Sequence, residues 1–288
     1  MRRQLIATTV LVFGFLSGML QAQSMSEVQK LTGVRAIDIY IARLSESGKA
    51  KETAQIFVKA LSEQPDNLDR LYGAMRAVLE ADVTGGMHNI FTMSKTIIIY
   101  KNSEINFNQK YISESERSEW ERVIKKSLDL LETKYEKHLM FVLSKIFFIR
   151  VFGDPRLRFW EEEIPTNPKG VRIRSNYEEI VKPYWEQVEK LQPENVYLLY
   201  EKTANPNIRE KERHEIFKKI FKNIDQLDIY ARRLVLHALA EQDERFDAQL
   251  KKLLVSNPTH PVNLFFVLNF HKYSSWFCQE TGIKFIKL

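Results

Sequence analysis

The residues of this chain that could carry chemistry fall into a few short stretches. His214-Glu215 has the opening of a zinc-protease helix, but the second histidine that would share the metal face four residues on is absent. The six histidines, His88, His138, His214, His237, His260 and His271, include no pair at ligand spacing on a helix. Glu161 and Glu163 could in principle serve as acid and base. With 37 acidic residues in the chain, however, such proximity follows from composition alone. Gly85-Gly86 lacks the Lys-Ser or Lys-Thr that completes a phosphate-binding loop, and no Gly-x-Ser-x-Gly elbow occurs. Cys278 is the single cysteine, so neither an internal disulfide nor a multi-cysteine zinc site can form. Its setting, Trp276-Phe277-Cys278, predicts an inert buried thiol. No catalytic residue, metal or cofactor is therefore expected.

The elements that would position these residues are helical. In 288 residues there are only ten glycines and nine prolines, with 44% hydrophobic and 28% charged residues, which favours long helices over a turn-rich β architecture. The composition excludes a disordered chain and a multi-span membrane protein. Residues 1–24 read as a secretory signal peptide: Met1-Arg2-Arg3 is a positive start, Leu5 to Leu20 is uncharged and apolar, and Ala22 and Ser24 are small residues suited to cleavage. Sixteen apolar residues are short of a bilayer span. Removal of Arg2 and Arg3 lowers the formal net charge from +6 to +4, and the remaining bases are interleaved with acids, as in Glu210-Lys211-Glu212-Arg213. No nucleic-acid partner is expected.

Ile37, Tyr40, Ile41 and Leu44 recur at helical spacing and predict a helix from about Val34 to Glu46. Ala50, Ala54, Phe57 and Leu61 predict a second, ending before Pro65, and Leu68, Leu71, Tyr72, Met75 and Leu79 a third, which Gly85-Gly86 should interrupt. Ile97-Ile98-Ile99-Tyr100 could be a strand, and the region 88–112 is open between helix and strand. Ser113-Glu114-Ser115-Glu116 predicts a capping box, followed by helix to Phe152 with a turn near Glu132 to Lys137. Tyr177 to Leu191 keeps helical spacing up to Gln192-Pro193-Glu194-Asn195, an echo of Gln64-Pro65-Asp66-Asn67, and a third proline turn stands at Ser256-Asn257-Pro258. The packing of the tail from Thr281 is open.

Gly48, Phe57, Ala60, Leu61 and Pro65-Asp66-Asn67 resemble the second half of a tetratricopeptide repeat, most clearly over residues 34–80. The match departs at Thr53, where alanine is usual, and at Ile37, Tyr40 and Ile41. The resemblance implies an all-α, irregular right-handed α-solenoid of antiparallel helical hairpins, in which a concave surface binds a protein or peptide. Two arrays are expected, 25–152 and 176–288, separated by an irregular stretch at 153–175 that holds a basic cluster of Lys169, Arg172 and Arg174.

The expected function is an exported, non-enzymatic scaffold or adaptor of the cell envelope, periplasmic or extracellular after cleavage. If the first repeats follow the family, the groove carries Arg35, Asp38, Ser45, Asp69, Tyr72 and Arg76 as partner-binding residues. An alternative is an exported enzyme or small-ligand binder with a pocket at Arg156, Arg158, Trp160 and Glu161. Membrane contact is possible without being required, and the oligomeric state is left open.

Overall fold

The computed structural model describes residues 25–46, 49–93, 96–105, 112–153, 177–203, 208–222, 247–256, 258–269 and 271–287. The expected signal segment at 1–24 and the basic cluster near 169–174 lie outside them. Among the described residues the protein is predominantly helical.

Helix α1 (Val34–Glu46) and helix α2 (Ala50–Glu63) form where the apolar spacing places them. Phe57 of α2 is buried and meets the Tyr40 ring edge-on, with centroids 6.2 Å apart. Thr53 is buried at no hydrogen-bonding loss, because its hydroxyl donates to the Lys49 carbonyl at 2.6 Å.

The first two proline turns share one local design. In the first, Asn67 N–H donates to the Gln64 carbonyl at 3.2 Å, and the Asn67 backbone carbonyl accepts from Leu71 N–H at 3.0 Å. The Asn67 side chain accepts from Arg70 N–H at 3.1 Å, capping helix α3 (Leu68–Met93). The Gln192 turn repeats the pattern. Asn195 N–H donates to the Gln192 carbonyl at 2.9 Å, and the Asn195 side chain accepts from Tyr197 and Leu198 N–H at 3.1 and 3.3 Å. At the third turn the His260 carbonyl accepts from Leu264 N–H at 3.1 Å.

Helix α3 runs straight through Gly85-Gly86, where an interruption was expected. It packs on α1, α2 and other helices, and its Ala81 and Val83 are buried. That tertiary contact outweighs the roughly 1 kcal/mol that each helical glycine costs. Gly73 serves the opposite purpose, because a Cβ there would overlap the Phe57 ring. Its bare backbone lets α2 and α3 approach.

After α3 come β1 (Thr96–Tyr100) and β2 (Ser103–Glu104), joined at Lys101-Asn102, whose φ angles of 51° and 61° suit a tight hairpin. Helix α4 (Glu114–Tyr135) starts at the expected capping box. Glu116 N–H donates to the Ser113 hydroxyl at 3.3 Å and the Glu116 carboxylate accepts from Ser113 N–H at 2.9 Å. The turn at 136–138 separates α4 from α5 (Leu139–Phe152), as the length argument requires. Helix α5 is buried on most of its circumference, through Phe141, Leu143, Ile146 and Phe147 among others.

Helices α6 (Tyr177–Leu191), α7 (Val196–Thr203) and α8 (Glu210–Phe221) contribute Val188, Val196, Leu198, Phe217 and Ile220 to the same core as α1 to α5. A smaller core gathers Ile98 of β1, Leu250 and Leu254 of helix α9 (Asp247–Ser256), Leu264 of α10 (Pro261–Asn269), Tyr273 and Phe277 of α11 (His271–Thr281), and Ile283 just after α11. Phe265 packs against both cores. The last described element is β3 (Lys284–Lys287), giving an antiparallel sheet of order β2-β1-β3. The fold is therefore mostly helical rather than purely so. The β-branched run Thr96-Ile97-Ile98-Ile99 favours an extended pleat, and the tail from Lys284 supplies its partner.

Two outcomes follow from this packing. Gly73→Ala should destabilise by about 1–3 kcal/mol in urea unfolding despite its better helix propensity, and the loss should shrink in a Phe57→Leu background. Glu116 supplies a pH dependence. Burial alone would push its carboxyl up, but the Ser113 N–H, the Lys51 ammonium at 2.9 Å and the Ser113 hydroxyl outweigh it and hold the group down to about 2, from an ordinary 4.5. The stability it confers is present above pH 4.5 and lost as pH falls toward 2. The difference in unfolding midpoint between the natural protein and Glu116→Gln should be full at pH 6 and vanish near pH 2.

Candidate functional site

The polar residues expected on a concave surface converge inside the protein. Asp38 and Ser45 project from α1, and Tyr72 and Arg76 from α3, and all four are buried with zero fractional exposure. Helical spacing brings them to one side, since Tyr72, Arg76 and Glu80 recur every four residues along α3. The structure adds what covers that side: Phe147 of α5 and Tyr197 of α7, whose rings meet edge-on at 5.1 Å. Phe147 also lies against Tyr72, with centroids 6.4 Å apart.

Within this enclosure Asp38 is the common acceptor. The Tyr72 hydroxyl donates to its two oxygens at 2.9 and 3.1 Å, and the Tyr197 hydroxyl donates to Oδ2 at 3.3 Å. Arg76 Nε lies 3.3 Å from Oδ1 and donates to the Tyr197 hydroxyl at 2.7 Å, so that Tyr197 accepts from the guanidinium and passes a donor to the carboxylate. Arg76 Nη1 reaches Glu80 Oε2 at 3.1 Å, and the guanidinium stands 5.8 Å over the Tyr197 ring. Burial, then the Asp38 charge and Tyr197, push the Tyr72 phenol well above its ordinary range against the opposing pull of Arg76. Tyr72 is thus a fixed donor at neutral pH, unsuited to act as a base.

Next along α3, Asp82 pairs with Arg117 of α4, whose Nη1 also donates to the Val151 carbonyl at 3.0 Å near the end of α5. The two charge clusters together tie α1, α3, α4, α5 and α7. No substrate atom reaches Asp38, Tyr72 or Arg76 without opening the core, so the chemistry available to this arrangement is that of a clamp.

The other expected residues are placed differently. Arg35 is exposed on α1. Asp69 is half-buried and accepts from Gly33 N–H at 2.7 Å, which fastens the segment before α1 to the start of α3. The Ser45 hydroxyl makes no hydrogen bond among the described residues. The exposure expected of Asp38, Ser45, Tyr72 and Arg76 is thus corrected: all four are buried, and the chain's own α5 and α7 lie against Tyr72, Arg76 and Asp38. Arg156, Arg158, Trp160 and Glu161 lie outside the described residues.

Sequence reasoning missed Glu80 and Tyr197. Glu80 was signalled by its spacing of four from Arg76. Tyr197 is 121 residues from Arg76, and its signal was only its place just after the second proline turn. Cys278 is half-buried, and burial raises its thiol above the ordinary value. Among the described residues no group of three or more His, Cys, Asp or Glu is placed to hold a metal ion, and no helix is long and apolar enough to cross a membrane.

Comparison with protein-family models, curated proteins and solved structures found no match to this chain.

A buried cation held by carboxylates makes a graded prediction. Arg76→Met, which strands Asp38 and Glu80 without their cation, should cost about 3–5 kcal/mol in chemical unfolding. Tyr197→Phe should cost about 1–2 kcal/mol, the scale of one buried hydrogen bond to a charged partner. Equal losses in the two variants would show that the guanidinium charge is not what the cluster depends on.

Proposed function

We propose that the protein is an exported, non-enzymatic scaffold or adaptor of the cell envelope. Its framework is read as an irregular α-solenoid of tetratricopeptide-like hairpins. The shared hydrogen-bonding of the Gln64 and Gln192 turns, with the related His260 turn, supports repetition of one hairpin unit. The observation that carries the functional reading is the Asp38–Tyr72–Arg76–Tyr197 cluster. Its polar groups serve to fix α1, α3 and α7 against one another, which is what a rigid platform requires and what a catalytic site, with groups left for a substrate, does not.

A partner must then be met on outer surfaces. Helix α1 offers one, because Arg35, Ile39 and Arg43 recur every four residues on its exposed side, and Ile39 is 42% exposed. Arg35 is the member of the expected binding set that remains on the surface. An arginine pair flanking an apolar side chain is a suitable anchor for a protein partner. Export rests on Met1-Arg2-Arg3, the apolar stretch to Leu20 and the small residues Ala22 and Ser24.

Two measurements test this reading. Mass spectrometry of the native protein should find an N-terminus just after Ala22 or Ser24 in a soluble envelope fraction, whereas intact Met1 on cytosolic protein would overturn export. Crosslinking in the native envelope should capture one dominant protein partner, lost in Arg35→Glu/Ile39→Asp with unchanged folding. No partner from an abundant folded bait would overturn the adaptor.

A further inference from the structure

The small sheet has two faces of different fate. Ile98 and Phe285, direct partners across β1 and β3, turn toward the smaller core, where Ile98 is buried and Phe285 packs at its edge. The side-chain period of two then puts Ile97, Ile99, Glu104, Lys284 and Ile286 on the opposite face. Ile286 is 42% exposed, Ile97 and Ile99 are partly buried, and Glu104 and Lys284 are exposed. Three isoleucines on the side of the sheet turned away from the smaller core are unusual, because the outer side of a half-buried sheet is ordinarily polar.

The register makes this face self-complementary. Ile99 pairs with Glu104 on one side and Lys284 on the other, so that one row across the sheet reads acid, isoleucine, base. The next row holds Ile97 beside Ile286. A two-fold axis parallel to β1, lying over this face, sets Ile99 on its own copy, Glu104 over Lys284 and Lys284 over Glu104. The strands of the two sheets then run aligned, as in sheet-on-sheet packing, about 10 Å apart, a gap that long charged side chains span.

We propose that the outer face of the β2-β1-β3 sheet docks a second copy of this chain, with Ile97, Ile99 and Ile286 forming the contact and two reciprocal Glu104–Lys284 pairs setting its orientation. Glu104, on the β2 edge of the face, disfavours an anionic membrane as the occupant, because it would set a carboxylate against lipid phosphates. With three short strands, the face measures roughly a few hundred Å² per copy, at the low end for protein interfaces, so the dimer is weak and concentration-dependent.

The test is sedimentation velocity on the mature full-length chain from about 1 µM to about 1 mM. The natural protein should pass from monomer to dimer within that range. Glu104→Lys and Lys284→Glu each set like charges over one another and should each weaken the dimer by about tenfold or more. The double variant E104K/K284E, which exchanges the signs, should dimerise like the natural protein. The two single variants mixed in equal amounts should form a heterodimer, since each supplies the charge the other lacks. Unfolding midpoints of the single variants should match the natural protein, because both residues are exposed. A natural protein that stays monomeric throughout overturns the proposal, as do single variants that dimerise normally or fail to recover on mixing. Binding to anionic phospholipid vesicles by a chain that remains monomeric would overturn it in favour of a membrane.

Discussion

A guanidinium without solvent, placed between α1, α3 and α7, is the constraint around which the main core is arranged. Arg76 cannot be titrated away at any pH the protein meets, so its charge must be answered where it lies. Asp38 answers it from α1, Glu80 from one turn further along α3, and the Tyr197 hydroxyl from α7. Each partner has a directional requirement, and together they fix the rotation and height of the three helices more narrowly than apolar packing does. A slide of α7 by one turn, about 5.4 Å, would leave Arg76 and Asp38 without the Tyr197 hydroxyl that links them. Leucines in the same place would tolerate such a slide. The cluster's contribution is therefore to uniqueness of arrangement, a role for which buried ion pairs are better suited than for net stability.

Around that fixed point the fold repeats one cheap solution for reversing direction. A glutamine carbonyl accepts from an asparagine three residues on, proline stops the preceding helix between them, and the asparagine side chain caps the next helix. The Gln64 and Gln192 turns do this with near-equal distances. At the third turn a buried histidine stands in the asparagine's place and Pro261 begins the helix, where a missing N–H costs nothing. Glycine is used with similar economy at Gly73, where the absence of a side chain sets the distance between α2 and α3.

Much of this was legible in the residues. The bounds of α1 and α2, the capping box at Ser113, the turn after Tyr135 and the central burial of α5 all follow from local spacing and local hydrogen-bonding chemistry. So does the grouping of Asp38 with Tyr72 and Arg76, because helical periodicity puts them on facing sides of neighbouring helices. What periodicity cannot say is which element lies over that side. Tyr197 arrives from 121 residues away and Phe147 from 71 residues beyond Arg76, and neither distance leaves a trace in the local pattern. The same limit explains the sheet. The strand character of Ile97 to Tyr100 is local, but its pairing with Lys284 to Lys287 depends on how the smaller core folds back on α3. Gly85-Gly86 misled in the other direction: a local breaker was overruled by the packing of the helix that contains it.

The cluster also explains why a polar stripe on a helix is an ambiguous sign of a binding groove. Arginine, tyrosine and aspartate are chosen at interfaces because they combine contact area with directional bonds, and the same properties suit them to an interface within one chain. The two cases differ in pairing. A groove for a partner leaves some donors and acceptors to water, whereas here Asp38 receives two hydroxyls and a guanidinium at once. The exposed stripe of α1, Arg35, Ile39 and Arg43, lies beside the side that carries Asp38 and is turned to solvent. One helix thus separates two demands by little more than a quarter turn: its inner side fixes the fold through charges that cannot change, and its exposed side is left open to variation without cost to the core.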